Sequence, residues 1–222
     1  MKKLLYFLPW VAVGLISCDG DDEVPSNCIE PMGAIVTETR TVSDFEDISL
    51  TGIGNIFLTQ GAPQQLSVVT HDNLLSMITT NVVNEELQID LVGCIDGNIT
   101  QLDYVITIPD IEHLEINGVG NITGQNDFDL DKLEISLDGV GNVIVSGSSD
   151  TLEIVSSGVG NIMAFDLISQ ICEVDLIGAG NIEVTAESEL DVNISGSGNV
   201  AYKGNPAIDV NITGSGNLID AN

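Results

Sequence analysis

Over most of the chain apolar and polar residues alternate, and the alternation restarts at one recurring point. That point is Gly-x-Gly-Asn followed by a branched apolar residue. Its seven copies are Gly52-Ile53-Gly54-Asn55-Ile56, Gly118-Val119-Gly120-Asn121-Ile122, Gly139-Val140-Gly141-Asn142-Val143, Gly158-Val159-Gly160-Asn161-Ile162, Gly178-Ala179-Gly180-Asn181-Ile182, Gly196-Ser197-Gly198-Asn199-Val200 and Gly214-Ser215-Gly216-Asn217-Leu218. Six, four and two residues before the first glycine stand apolar side chains. In successive copies they are Leu133, Ile135 and Leu137; Leu152, Ile154 and Ser156; Cys172, Val174 and Leu176; Leu190, Val192 and Ile194; and Ile208, Val210 and Ile212. Period-2 alternation of this kind describes a strand with one buried face. A second short strand starts at Ile122, Val143, Ile162, Ile182, Val200 and Leu218, and a second turn such as Gly147-Ser148-Ser149-Asp150 leads to the next copy.

The last six copies start 21, 19, 20, 18 and 18 residues apart, a regular repeat of about 20. A unit of two strands cannot bury its apolar face alone, but stacked copies bury a continuous row. The predicted fold is therefore all-β, a parallel β-solenoid with rungs of about 20 residues. An antiparallel meander is the competing arrangement. The two strands within a unit are unlike, while corresponding strands of successive units are alike, and this favours the solenoid. The glycines imply backbone angles closed to other residues. The asparagines suit either a stacked amide ladder or the left-handed backbone of a turn.

The organisation follows. Residues 1–17 read as a signal peptide, with Lys2 and Lys3 ahead of an apolar stretch. Leu15-Ile16-Ser17-Cys18 resembles a bacterial lipobox, which implies acylation of Cys18. Residues 18–33 read as a lipidated acidic tether, opening with Asp19-Gly20-Asp21-Asp22-Glu23, which resembles a surface-export signal of Bacteroidetes lipoproteins. Residues 34–222 form the solenoid domain, irregular over 34–110 and regular over 111–222. Residues 71–83 leave room for one helical turn. The expected address is the outer membrane, facing the cell surface, with the lipid as the membrane contact.

Charge narrows the function. The chain has 34 Asp plus Glu against five Lys plus Arg, a formal net charge of −29. Only Arg40, Lys132 and Lys203 remain as strong cations after the signal peptide. Nucleic acid and anionic polysaccharide are excluded as ligands, since both need basic residues to neutralise them. Five residues before the first glycine stand Glu134, Glu153, Glu173, Asp191 and Asp209. Parallel stacking puts them in one outward row, a candidate face for a cation or a basic partner as well as a solvated face that discourages aggregation. Glu115 and Asp175 lie on the same face. The second strand's outward row is Thr123, Ile144, Met163, Glu183, Ala201 and Ile219, mostly apolar. It is expected to pack against the irregular first half or another subunit, which makes a homo-oligomer possible.

Cys28 and Cys94 could pair after export. Cys172 falls on the buried row. The spacing holds no metal motif, and no cofactor is expected. The two histidines, His71 and His113, lie in no catalytic motif. Lyase chemistry needs cations that the chain lacks, and hydrolysis needs a carboxylate pair at a cleft. An enzyme is not expected, although a glycan-active β-helix and an envelope structural protein remain alternatives.

The recurrent Gly-x-Gly-Asn-Ile, the entry Phe45-Glu46-Asp47-Ile48 and Ile108-Pro109 ahead of the regular part resemble the auto-transporter adhesin, head GIN domain family, over about residues 35–222. The resemblance implies a right-handed β-helix similar in shape to pectin lyases but without their catalytic residues. It also implies a role in adhesion, toward a glycan or protein ligand it does not identify.

Overall fold

In a computed structural model the structure describes residues 28–222. The signal peptide, Cys18 and the first part of the acidic tether lie outside the described residues. The strands are β1 (Ile35–Arg40), β2 (Asp47–Leu50), β3 (Ile53–Gln60), β4 (Gln65–His71), β5 (Ile78–Val83), β6 (Glu86–Leu91), β7 (Leu102–Ile108), β8 (His113–Ile116), β9 (Val119–Gly124), β10 (Phe128–Leu137), β11 (Val140–Ser156), β12 (Val159–Leu176), β13 (Ala179–Ile194), β14 (Asn199–Lys203), β15 (Ala207–Ile212) and β16 (Leu218–Asp220). The helical turn expected within residues 71–83 is a short 3-10 helix at Asp72–Met77.

Coils of about 20 residues stack in parallel as a β-solenoid. Each strand ahead of a Gly-x-Gly-Asn corner pairs in register with its counterpart one coil away. Leu133 lies beside Leu152, Leu152 beside Cys172, Cys172 beside Leu190 and Leu190 beside Ile208. After the corner, Asn55, Asn121, Asn142, Asn161, Asn181 and Asn199 also fall in register. Ile56, Ile122, Val143, Ile162, Ile182 and Val200 form a buried column. Branched aliphatic side chains meeting like with like at strand spacing give close packing without special shapes.

At each corner two consecutive backbone N–H groups donate to one carbonyl of the preceding coil. Asp138 and Gly139 donate to Ile116 at 3.0 and 2.8 Å, and Ser157 and Gly158 donate to Leu137 at 3.0 and 2.8 Å. The glycines have a reason other than the expected one. Of those in the motif, only Gly54 and Gly160 have clearly positive φ, +130° and +159°. Instead a Cβ on Gly141 would collide with the carbonyl of Gly120, and one on Gly180 with the carbonyl of Gly160. Successive corners approach too closely for any side chain on their inner side.

The expected second turn is absent from the central coils. Gly147-Ser148-Ser149-Asp150 lies inside β11, which runs unbroken for 17 residues. The chain rounds this side in extended conformation, with register shifts between Ile144 and Ser146 and between Ala164 and Ile168. The extended chain keeps its pairing with the neighbouring coil, and the shifts absorb the unequal repeat lengths.

The first half departs from chain order. β2 is flanked by β6 and β8, and β3 by β7 and β9. The segment between the first two motifs thus doubles back, lays a coil (β6, β7) against one side of the first coil, and leaves the other side to β8 and β9. Antiparallel β5 then covers β6, while β4 and β1 extend beyond β7. This covers one end of the hydrophobic column. At the other end Ile208, Val210 and Ile212 are 42%, 44% and 43% exposed, against 0–1% for Leu190, Val192 and Ile194 one coil inward.

Cys28 and Cys94 form a disulfide with Cα atoms 4.5 Å apart. Ile29 bridges to Ile95, its N–H donating to the Cys94 carbonyl at 2.9 Å. Residues 28 and 29 are therefore tied to the body of the domain. Cys172 is buried like Leu133, Leu152 and Leu190 of its row, and burial pushes its thiol up to about 12, which makes it unreactive.

Candidate binding faces

Two long outward faces result from this stacking, and they differ in chemistry. The first belongs to the strands ahead of the corners. Glu134, Glu153, Glu173, Asp191 and Asp209 occupy successive register positions along it. The row continues past the regular part through His113, Asp47 and Glu86. Sequence reasoning missed this continuation, because β6, β2 and β8 are neighbours out of chain order. Like charges one strand apart repel, and one ion pair relieves the row. Lys132 pairs with Glu153 at 2.9 Å, and His113 sits between Asp47 and Glu134. Glu115, in the next row, accepts from the Ser49 hydroxyl at 2.6 Å. The carboxylates fall one per coil, and among the described residues no three His, Cys, Asp or Glu side chains are grouped to hold a metal ion.

At the covered end, Asp44, Phe45, Glu46, Gln64, Glu85, Pro109 and Asp110 line a depression of about 320 Å³. Desolvation, then the charges of Glu112, Glu85 and Asp110, hold the Glu46 carboxyl above the usual range. Asp47 is also raised, chiefly by desolvation and against the opposing pull of His113.

The second face belongs to the strands after the corners and carries three rows. The middle row is a continuous amide ladder. Each Asn Nδ2 donates to the Oδ1 of the preceding asparagine: Asn121 to Asn55 at 2.8 Å, Asn142 to Asn121 at 2.9 Å, Asn161 to Asn142 at 3.0 Å, Asn181 to Asn161 at 3.2 Å, Asn199 to Asn181 at 3.1 Å and Asn217 to Asn199 at 3.0 Å. Asn55 ends the series on Asp103 at 3.2 Å. Among the described residues only Asn84 and Glu85 are non-glycine residues with positive φ. Of the two structural readings of these asparagines, the ladder is the one observed.

On one side of the ladder run Ile53, Val119, Val140, Val159, Ala179, Ser197 and Ser215, with the three valines each more than half exposed. On the other side run Phe57, Thr123, Ile144, Met163, Glu183, Ala201 and Ile219. This second row does not pack against the first half of the chain, as one alternative expected, and Ile144 and Ile219 stay exposed. The first half stacks beneath and beyond the coils, so it never folds over this face.

The two histidines stand on different strands, His71 ending β4 and His113 opening β8. His71 Nε2 lies 2.9 Å from Thr100 Oγ1, and His113 Nε2 lies 3.3 Å from Ser136 Oγ. Ser136 and His113 stand on the open acidic face. The backbone N–H groups around them belong to strands paired on both sides, which leaves no donor pair for an oxyanion.

The architecture is a parallel β-solenoid with two long open faces of different chemistry. The model of the family described as "Putative auto-transporter adhesin, head GIN domain" matches residues 44–206, and the chain belongs to that family. A solved structure of a putative adhesin from Bacteroides fragilis is 27% identical, with a TM-score of 0.73 over 86% of this chain and 98% of that one. A putative lipid binding protein from Parabacteroides distasonis (24% identical, TM-score 0.52) and a putative adhesin from Parabacteroides merdae (18%, 0.52) share the fold, each over 86% of this chain and 99% of theirs. No curated protein matches the chain.

Proposed function

We propose that this chain is a non-catalytic adhesion or binding module of the cell envelope. In this reading it is a lipoprotein held in the outer membrane through Cys18 and displayed at the cell surface, where its open faces meet a glycan or protein ligand. The observation that carries the reading is the continuity of the outward rows. Each presents one side chain per coil over the length of the solenoid, which suits an extended partner contacted at many weak points. Family membership and the adhesin from Bacteroides fragilis support the binding role. The lipobox at Cys18 and the acidic residues behind it support the address.

Three experiments test it. Cells expressing the chain should incorporate labelled palmitate, and the Cys18→Ala variant should not. Protease added to intact cells should remove the chain. Digestion only after lysis would favour a periplasmic structural protein. The soluble Cys18→Ala protein, applied to glycan and host-protein arrays with and without calcium, should bind without shortening any glycan. Release of cleaved oligosaccharide would favour the enzyme alternative.

A further inference from the structure

The asparagine face is large and nearly uncharged on a protein of net charge −29, with a depression of about 580 Å³ beside Ile53, Asn55, Val119 and Asn121 and a smaller one toward the other end. Its rows cross β7, β3, β9, β11, β12, β13, β14 and β16, and the only carboxylates they hold are Asp103 and Glu183. Asp103 already accepts from Asn55 and Gln101. Over the seven strands from β3 to β16, at about 4.8 Å per strand and about 3.3 Å per residue, the face measures roughly 34 by 16 Å, about 540 Å². Two such faces together bury about 1,100 Å², enough for a weak specific interface.

We propose that this face is a homodimer interface, with two copies packed face to face and their solenoid axes antiparallel. The inference does not depend on which ligand the acidic face meets. Shape and charge both select a second copy. The outward rows taper along the solenoid: Ile53, Val119, Val140 and Val159 are bulky, while Ala179, Ser197 and Ser215 are small. A two-fold axis through the coil of Val159 and Met163 sets each bulky residue against a small one. Ile53 meets Ser215, Val119 meets Ser197, and Val140 meets Ala179 of the second copy.

In the other apolar row Phe57 meets Ile219 and Thr123 meets Ala201. In this row lies a depression of about 290 Å³ lined by Met163, Glu183, Ala201, Ile219 and ladder asparagines. Phe57, the one aromatic of the three rows, is thereby seated in the one hollow of that size in its row. A parallel arrangement would set bulky coils against bulky coils and leave the hollow unfilled. The acidic faces point away from each other, so the remaining charge opposes the pair only at long range. Glu183 is the exception, because it faces Ile144.

The test is sedimentation equilibrium of the mature Cys18→Ala chain from about 1 to 200 μM, a range that brackets a weak specific dimer. The wild type should associate to two chains, and more tightly as salt is raised, because screening weakens the repulsion between copies. Val140→Asp with Ile144→Asp should weaken association at least ~100-fold, as burying carboxylates at an interface centre does. Glu183→Ala should tighten it, roughly fivefold or more, since it removes a carboxylate facing an apolar side chain. Glu173→Ala, on the acidic face, should do neither beyond the effect of salt. With a short thiol cross-linker Val159→Cys should link to itself, whereas Val119→Cys should link only to Ser197→Cys. Circular dichroism and melting of each variant establish that it is folded. A wild type that stays single at all concentrations overturns the proposal, as does a folded Val140→Asp, Ile144→Asp protein that still pairs. A monomer that instead binds neutral phospholipid vesicles or an uncharged glycan through this face also overturns it.

Discussion

Replacement of Asn161 measures what the amide ladder contributes. Its side chain takes part in three hydrogen bonds. Nδ2 donates to Asn142 Oδ1 at 3.0 Å, and Oδ1 accepts from the backbone N–H and from Nδ2 of Asn181, both at 3.2 Å. The Asn161 backbone N–H keeps its own acceptor on Asn142 at 3.2 Å. Asn161→Ala therefore removes three bonds and strips an acceptor from the next coil. At about 0.5–1.5 kcal/mol net per bond, discounted for partial exposure, the expected loss is about 2 kcal/mol. Asn217, at the end of the ladder, makes one such bond, to Asn199 at 3.0 Å. Asn217→Ala should cost about 0.5 kcal/mol or somewhat more on the same scale. Asn161→Gly is the decisive variant. If the asparagines served a left-handed backbone, glycine would be tolerated or better than alanine. In an extended strand it should cost a further ~0.5–1 kcal/mol beyond alanine. Urea unfolding of the Cys18→Ala chain, followed by circular dichroism at unchanged m-value, reads these differences. Equal costs at Asn161 and Asn217, or a glycine variant more stable than the alanine one, would refute the reasoning.

Other expectations follow from the same geometry. Gly141→Ala places a methyl against the Gly120 backbone, whereas Gly61→Ala meets only Thr107 Cγ2 at ordinary contact, 3.6 Å away. The first should lower stability by about 3 kcal/mol or abolish folding, and the second should cost under ~1 kcal/mol, as denaturation midpoints will show. The Cys28–Cys94 bridge spans 66 residues of sequence. Cys28→Ser with Cys94→Ser should lower stability by roughly 2–4 kcal/mol, and reductant should lower the melting temperature of the wild type only. Glu46 and Asp47 hold protons more tightly folded than unfolded. Their favourable contribution is complete below the unfolded pKa and is lost as pH rises through the raised folded values. Melting temperature should therefore rise as pH falls through the raised folded values toward the ordinary carboxylate range, and Glu46→Gln should flatten that rise. A wild-type slope of opposite sign, unchanged by Glu46→Gln, would count against the carboxylate cluster.

The sequence by itself determined the regular half. Identical corners at near-constant spacing require like strands to meet like strands. The inward rows, the burial of Cys172, the alignment of Glu134 through Asp209 and the stacking of the asparagines all follow from that one register. Local pattern could not determine which coils become neighbours where the repeat breaks. Gly52 and Gly118 stand 66 residues apart in sequence, yet they occupy adjacent coils, because the intervening chain doubles back to lay β6 and β7 on the opposite side. Only that non-local arrangement carries the acidic row on through His113 and Asp47. The glycines show the same division. Their positions are plain in the chain, but their reason is the collision of one coil's corner with the next, which exists only once the coils are stacked. The bareness of the asparagine face was decided in the same way: alternation says which side chains point outward, and only tertiary packing decides whether anything in the chain folds over them.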